Sequence, residues 1–69
     1  MDADTVARLN VTVETFVKRC LASNHKPPFV ILADCVDKLR SVPYWTDEEI
    51  EQLRITATRV LNERLSESR

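Results

Sequence analysis

The 69-residue chain contains no glycine, and this absence limits the folds that are open to it. At an average usage of roughly 7%, about five glycines would be expected. Tight hairpin turns of types I′ and II′ depend on positive φ angles, which glycine adopts most readily. Glycine-rich phosphate loops and dinucleotide-binding motifs cannot be built without it. The composition therefore predicts helices joined by loops that contain proline and asparagine, and it argues against β-meander and collagen-like folds.

Two loop signals divide the chain into three segments with helical periodicity. The loops cover residues 23–28 and 41–46, and the segments predict helices at about 4–23, 28–41 and 47–66. In each segment apolar residues recur three or four positions apart, which places them on one stripe of a helix. We therefore predict an all-α protein, a small three-helix bundle in which residues 1–69 form a single domain.

The ends of the first two predicted helices carry recognisable signals. Asp4 or Thr5 can cap the first helix, because either side chain can accept a hydrogen bond from a free backbone N–H. Asn24 suits the left-handed position that often follows the end of a helix. Pro28 suits the first position of the second helix.

The third helix has the clearest local signal. Thr46 and Glu49 have the spacing of a capping box, in which each side chain bonds to the backbone of the other residue. Trp45 before the cap and Ile50 at the fourth helical position have the spacing of a hydrophobic staple. These features predict a helix that begins at about residue 47.

The second predicted helix is apolar over roughly 200° of its circumference. A second apolar stripe is formed by Ile31, Cys35 and Val42, and stray apolar residues lie on the first and third helices at Val11 and Ile55. Small scaffolds bury a limited core, and they commonly gain stability by oligomerisation. We expect the chain to self-associate as a helical dimer, with a contact face at Ile31, Cys35, Val42 and Ile55.

The sequence offers little for metal, cofactor or catalytic chemistry. Its two cysteines, Cys20 and Cys35, lie within apolar arcs, as buried core thiols do. A disulfide between them requires Cα atoms within about 7 Å of each other. The single histidine, His25, lies in a polar loop, and no pair of ligands has zinc-site spacing. We predict no catalytic residue, no metal site, no cofactor and no enzyme activity; the remaining catalytic option is a reactive Cys35.

Charge and hydropathy indicate a cytoplasmic protein. The chain carries 10 Lys and Arg against 11 Asp and Glu, and its net charge is −1. It lacks a run of about 20 apolar residues, the length that spans a bilayer. The segment Met1–Asp4 is acidic where a signal peptide requires positive charge. We expect a complete small open reading frame with no membrane span.

An aromatic pair next to an acidic helix start is the most informative short feature. Tyr44 and Trp45 follow Pro43 directly, and both residue types are enriched at binding hot spots. We predict a partner-binding surface at Tyr44, Trp45, Glu48 and Glu51. The predicted function is that of a small cytosolic protein–protein interaction module, of the inhibitor, adaptor or accessory-subunit type.

The alternative function is a dimeric nucleic-acid-binding regulator. A dimer could combine scattered basic residues into one face, namely Arg8, Lys18, Arg19, Lys26 and Lys38. No single segment is strongly basic, as nucleic-acid-binding faces usually are. The first turn of the third helix would contact bases in a helix-turn-helix arrangement, but it carries carboxylates, which phosphates repel.

Overall fold

The computed structural model describes residues 2–67 and contains three α-helices: Ala3–Ala22 (α1), Pro28–Leu39 (α2) and Asp47–Glu67 (α3). Each helix contacts both of the others. The bundle measures 35 × 23 × 14 Å, with a radius of gyration of 12.0 Å. The all-α three-helix architecture predicted from the periodicity is confirmed.

Helix α1 begins and ends one residue earlier than predicted. Its cap is Asp2, not Asp4 or Thr5, because the Asp2 carboxylate accepts a hydrogen bond from the Thr5 backbone N–H at 2.8 Å. At its other end the backbone becomes extended at Ser23, with φ −84° and ψ 137°. The left-handed conformation expected at Asn24 is not formed, since no residue within 2–67 has a positive φ.

Helix α2 begins at Pro28 as predicted and ends at Leu39, two residues earlier than predicted. The backbone N–H groups of residues 40–42 donate to carbonyls three residues back, which is the pattern of a tight final turn. Pro43 explains the early end, because a proline disfavours helical geometry in the residue before it.

Helix α3 starts with the predicted capping box. The Thr46 N–H donates to the Glu49 carboxylate at 2.9 Å, and the Glu49 N–H donates to the Thr46 hydroxyl at 3.2 Å. Trp45 packs against the core cluster that contains Ile50, in agreement with the predicted staple. The start of α3 is therefore fixed by contacts within six consecutive residues.

The core lies where the three helices meet, and each helix contributes to it. Its side chains are apolar, apart from the two cysteines, and Leu53, Leu61 and Val17 are among those that are completely buried. The buried set is Leu9, Val13, Phe16, Val17, Cys20, Leu32, Cys35, Val36, Ile50, Leu53, Ala57 and Leu61. Phe29, which the periodicity places on the core stripe of α2, is instead 43% exposed.

Ion pairs tie α1 to α3 at two levels. Arg8 lies 3.6 Å from the Glu49 carboxylate near the start of both helices. Arg64 donates to Glu14 at 3.1 Å further along α3. Such exposed pairs contribute little to stability individually. The first pair positions the start of α3 against α1, next to the predicted partner-binding residues.

Candidate protein-interaction surface

The aromatic pair at the α2–α3 turn divides into a buried residue and an exposed one. Trp45 is partly buried and packs against the core. The Arg8 guanidinium carbon lies 5.0 Å from the centre of its ring, within the range of a cation–π contact. Tyr44 is 75% exposed, more than any other large apolar or aromatic side chain described. The Trp45 side chain therefore anchors the turn against the core, and the Tyr44 side chain next to it is exposed to solvent.

Two carboxylates next to Tyr44 carry uncompensated charge. Asp47 and Glu48 are exposed in the first turn of α3, and neither forms an ion pair within the part of the chain that the structure describes. Their negative charge is favourable at the positive end of the helix dipole. We call Tyr44, Asp47 and Glu48 the acidic corner. It combines an exposed aromatic ring with two available carboxylates.

Glu51 is already engaged within the chain. The Arg54 guanidinium donates from two nitrogens to its two carboxylate oxygens. These hydrogen bonds lower the pKa of Glu51, and the charges of Arg54 and Arg40 lower it further. Arg54 and Arg40 both line a groove between α2 and α3.

This α2–α3 groove has a volume of about 230 Å³. Leu32 and Val36 line it and are only 2% and 3% exposed. The other lining residues are Phe29, Ala33, Asp37, Arg40, Arg54 and Thr58. The groove therefore combines an apolar floor with charged residues from both helices.

The four predicted self-association residues have different surroundings. Ile31 is partly buried and packs against the core, and Val42 is partly buried in the turn after α2. Cys35 is 5% exposed and belongs to the core, so its side chain has no surface to offer a second chain. The same buried core contains Cys20 of α1, and α1 and α2 of the chain are in contact. Ile55 is 47% exposed.

Two exposed apolar residues beside the groove, Phe29 and Val30, were not among the predicted site residues. They are 43% and 46% exposed in the first turn of α2. The signal was available, because residues 29–32 are all apolar. Consecutive residues on a helix are 100° apart, so four in a row cannot all face one core.

The cysteines are two free, buried thiols. Burial raises the pKa of the Cys20 thiol, and the neighbouring Cys35 raises it further. A raised pKa disfavours the thiolate, which is the reactive form. His25 is exposed in the loop after α1, whereas both thiols are buried. Within residues 2–67, no three His, Cys, Asp or Glu side chains lie together as metal ligands.

Comparisons with known proteins give no relative: no protein-family model, no curated protein and no solved structure matches the chain. None of the three described helices combines the length and the apolar content required to cross a membrane.

Proposed function

We propose that the chain is a small, non-enzymatic, cytoplasmic module that acts by binding a partner protein through the acidic corner and that works as a homodimer. The observation that carries this proposal is the contrast between Trp45, fixed by Arg8 and the core, and Tyr44, which is 75% exposed next to it. An exposed tyrosine on a fixed turn offers a large contact area with few side-chain torsions to immobilise on binding.

The fixed position of the corner favours binding. The capping box and the Arg8–Glu49 pair lie at the start of α3, directly after the turn that carries Tyr44. Binding surfaces that are ordered before association avoid part of the entropy cost of docking. If the turn is ordered before binding, less of the contact energy of the Tyr44 ring is offset by the entropy cost of ordering it.

The charge of the corner indicates the chemistry of the partner. Asp47 and Glu48 lack a described partner in this chain, and the segment 44–69 carries six acids against four bases. A complementary surface has a pocket for the tyrosine ring with Lys or Arg beside it, because opposite charges across an interface favour correct orientation and fast association.

The nucleic-acid alternative has weaker support. Arg8 interacts with Trp45 and Glu49, and Lys26 lies 3.7 Å from Asp34, so two of the five basic residues of the hypothetical face already have acidic neighbours. The acidic corner would also repel phosphates. Nuclease treatment and a salt series distinguish nucleic-acid binding from protein binding in a pull-down.

The test is a quantitative pull-down with the tagged chain from lysate of the source cells, at low and high salt, with and without nuclease. The variants are Tyr44→Ala and Glu48→Lys, matched by Val11→Ala and Glu63→Lys, which alter exposed residues elsewhere. A stoichiometric partner is expected to survive nuclease and to be retained about tenfold less by the first two variants, the loss typical of hot spots.

Two results would contradict the proposal. Equal retention of the partner by all four variants would show that the acidic corner is not the binding surface. Recovery of nucleic acid that elutes as salt rises, with no protein partner, would replace the interaction-module proposal with the nucleic-acid alternative, since phosphate contacts weaken steeply with salt.

A further inference from the structure

We infer that the α2–α3 groove is the docking face for a second copy of this chain, with the two copies related by a twofold axis. The inference rests on the proposed self-association and assigns it a surface. It does not involve the acidic corner, so the two proposals can fail separately. Three observations support it: the apolar side chains at the groove, its balanced charges and its small volume.

Exposed apolar side chains border the groove on both helices. Phe29 is one of its lining residues and is 43% exposed. Val30 is 46% exposed and precedes the lining residue Ala33 by three positions. Ile55 is 47% exposed and precedes the lining residue Thr58 by three positions. Residues three apart are neighbours on a helix surface, so these side chains extend the apolar floor outward.

Three charged residues line the groove, Asp37, Arg40 and Arg54, and Glu51 pairs with Arg54 beside it. On α2, Arg40 lies 3.7 Å from Asp37. On α3, Arg54 binds Glu51 through two hydrogen bonds. Each helix therefore supplies one cation and one anion, and the net charge of these four residues is zero.

This balance favours a second copy over a strongly charged partner. A twofold interface presents the same patch from both sides, so the patch must complement itself. A rim of one sign would repel its own copy. A rim with two arginines and two carboxylates can place each arginine opposite a carboxylate of the other chain, whereas it gives a uniformly basic or acidic partner no net attraction.

The groove volume also fits side chains from a facing copy. At about 230 Å³ it lies below the range of about 300–1,000 Å³ that is common for small-molecule pockets. In a twofold pair each chain contributes an apolar side chain from its groove edge and receives one from the other chain. Phe29 and Ile55 are the side chains placed to do this.

The first test measures self-association of the full chain by analytical ultracentrifugation. Concentrations from about 1 μM to 1 mM cover weak to moderate association. The wild type is expected to show a monomer–dimer equilibrium. Ile55→Lys and Val30→Lys are expected to weaken dimerisation at least tenfold, since each buries an uncompensated charge, whereas Val11→Lys, on α1, leaves it unchanged. Circular dichroism checks that every variant is helical.

A charge-exchange experiment tests the twofold pairing itself. One variant combines Arg40→Glu with Arg54→Glu, and the other combines Asp37→Lys with Glu51→Lys. Each is expected to be monomeric alone because like charges face each other, and an equimolar mixture is expected to form a heterodimer.

A wild type that remains monomeric over the whole range would overturn the inference. So would a dimer that Ile55→Lys and Val11→Lys affect equally, because the contact would then lie on another face. Either result leaves the Tyr44 and Glu48 pull-down result unaffected, so failure of the dimer face and failure of partner binding are distinguishable.

Discussion

Replacing each aromatic residue of the α2–α3 turn by alanine separates the residue that stabilises the fold from the one available for binding. Trp45 packs against the core and lies under the Arg8 guanidinium, whereas Tyr44 is 75% exposed. Trp45→Ala is therefore expected to destabilise the bundle strongly. Tyr44→Ala is expected to leave the free energy of unfolding within about 0.5 kcal/mol of the wild type, as surface substitutions usually do.

The expected cost of Trp45→Ala follows from its burial. Truncating a buried Trp to Ala typically costs about 3–5 kcal/mol. Trp45 is only partly buried, so we expect roughly half of that, about 2 kcal/mol. Loss of the cation–π contact with Arg8 adds about 0.5–1 kcal/mol. The sum of these two losses is a large fraction of the total free energy of unfolding, which is typically about 0.05–0.15 kcal/mol per residue.

Urea unfolding followed by helical circular dichroism measures both variants. Fluorescence cannot be used for this comparison, because Trp45 is the only tryptophan. Trp45→Phe serves as an intermediate variant, since it keeps an aromatic ring against the core and should recover part of the loss. Equal stability of the Trp45→Ala and Tyr44→Ala proteins would refute the assignment of Trp45 as the anchor of the turn.

Three further predictions concern caps and thiols. Thr46→Ala should cost about 1 kcal/mol in urea unfolding by removing the cap of α3, and Thr46→Ser should restore most of it; an unchanged midpoint for the alanine variant would contradict the capping role. Backbone hydrogen bonds lower the pKa of Asp2 and of Glu49, so the ionised carboxylates stabilise the fold and their full contribution is present at neutral pH. This contribution should decline as the pH falls below about 4, because the carboxylates are then protonated. A thermal midpoint that does not change with pH in this acid range would argue against it. The thiols of Cys20 and Cys35 should react slowly with a thiol reagent at neutral pH and quickly in denaturant, because both are buried and the pKa of Cys20 is raised; fast labelling of the folded chain would contradict the buried-core assignment.

Local features of the fold could be predicted from the sequence because their partners are close in the chain. The Thr46–Glu49 capping box requires only a spacing of three residues, and the structure forms both of its hydrogen bonds. The cap of α1 was predicted at Asp4 or Thr5, whereas the structure uses Asp2. Neighbouring polar residues at a helix start can each bond to a free N–H, so the sequence alone does not identify the cap.

The orientation of the apolar arc on α2 required the tertiary structure. Periodicity shows that the arc is wide, but it does not show which side packs within the chain. The structure turns the Cys35 side toward α1 and leaves Phe29 partly exposed on the α3 side. The exposed fraction of Tyr44 likewise depends on the turn geometry after α2, where the tight final turn and Pro43 redirect the chain.

The four residues predicted for partner binding have different surroundings in the structure. Tyr44 and Glu48 remain exposed and available, Trp45 becomes an anchor, and Glu51 is bound by Arg54 at the groove. Side-chain ion pairs of this kind cannot be deduced from composition, because i, i+3 spacing permits a pair without requiring it.

Photo-crosslinking from position 44 asks whether the acidic corner touches a partner protein in the source cells. A photoreactive amino acid replaces Tyr44 in one protein and Val11, which is 67% exposed on α1, in the control. We predict one protein adduct of defined mass from position 44, lost when Glu48→Lys is added, and no such adduct from position 11. The same products from both positions, or adducts with nucleic acid alone, would contradict the proposed function.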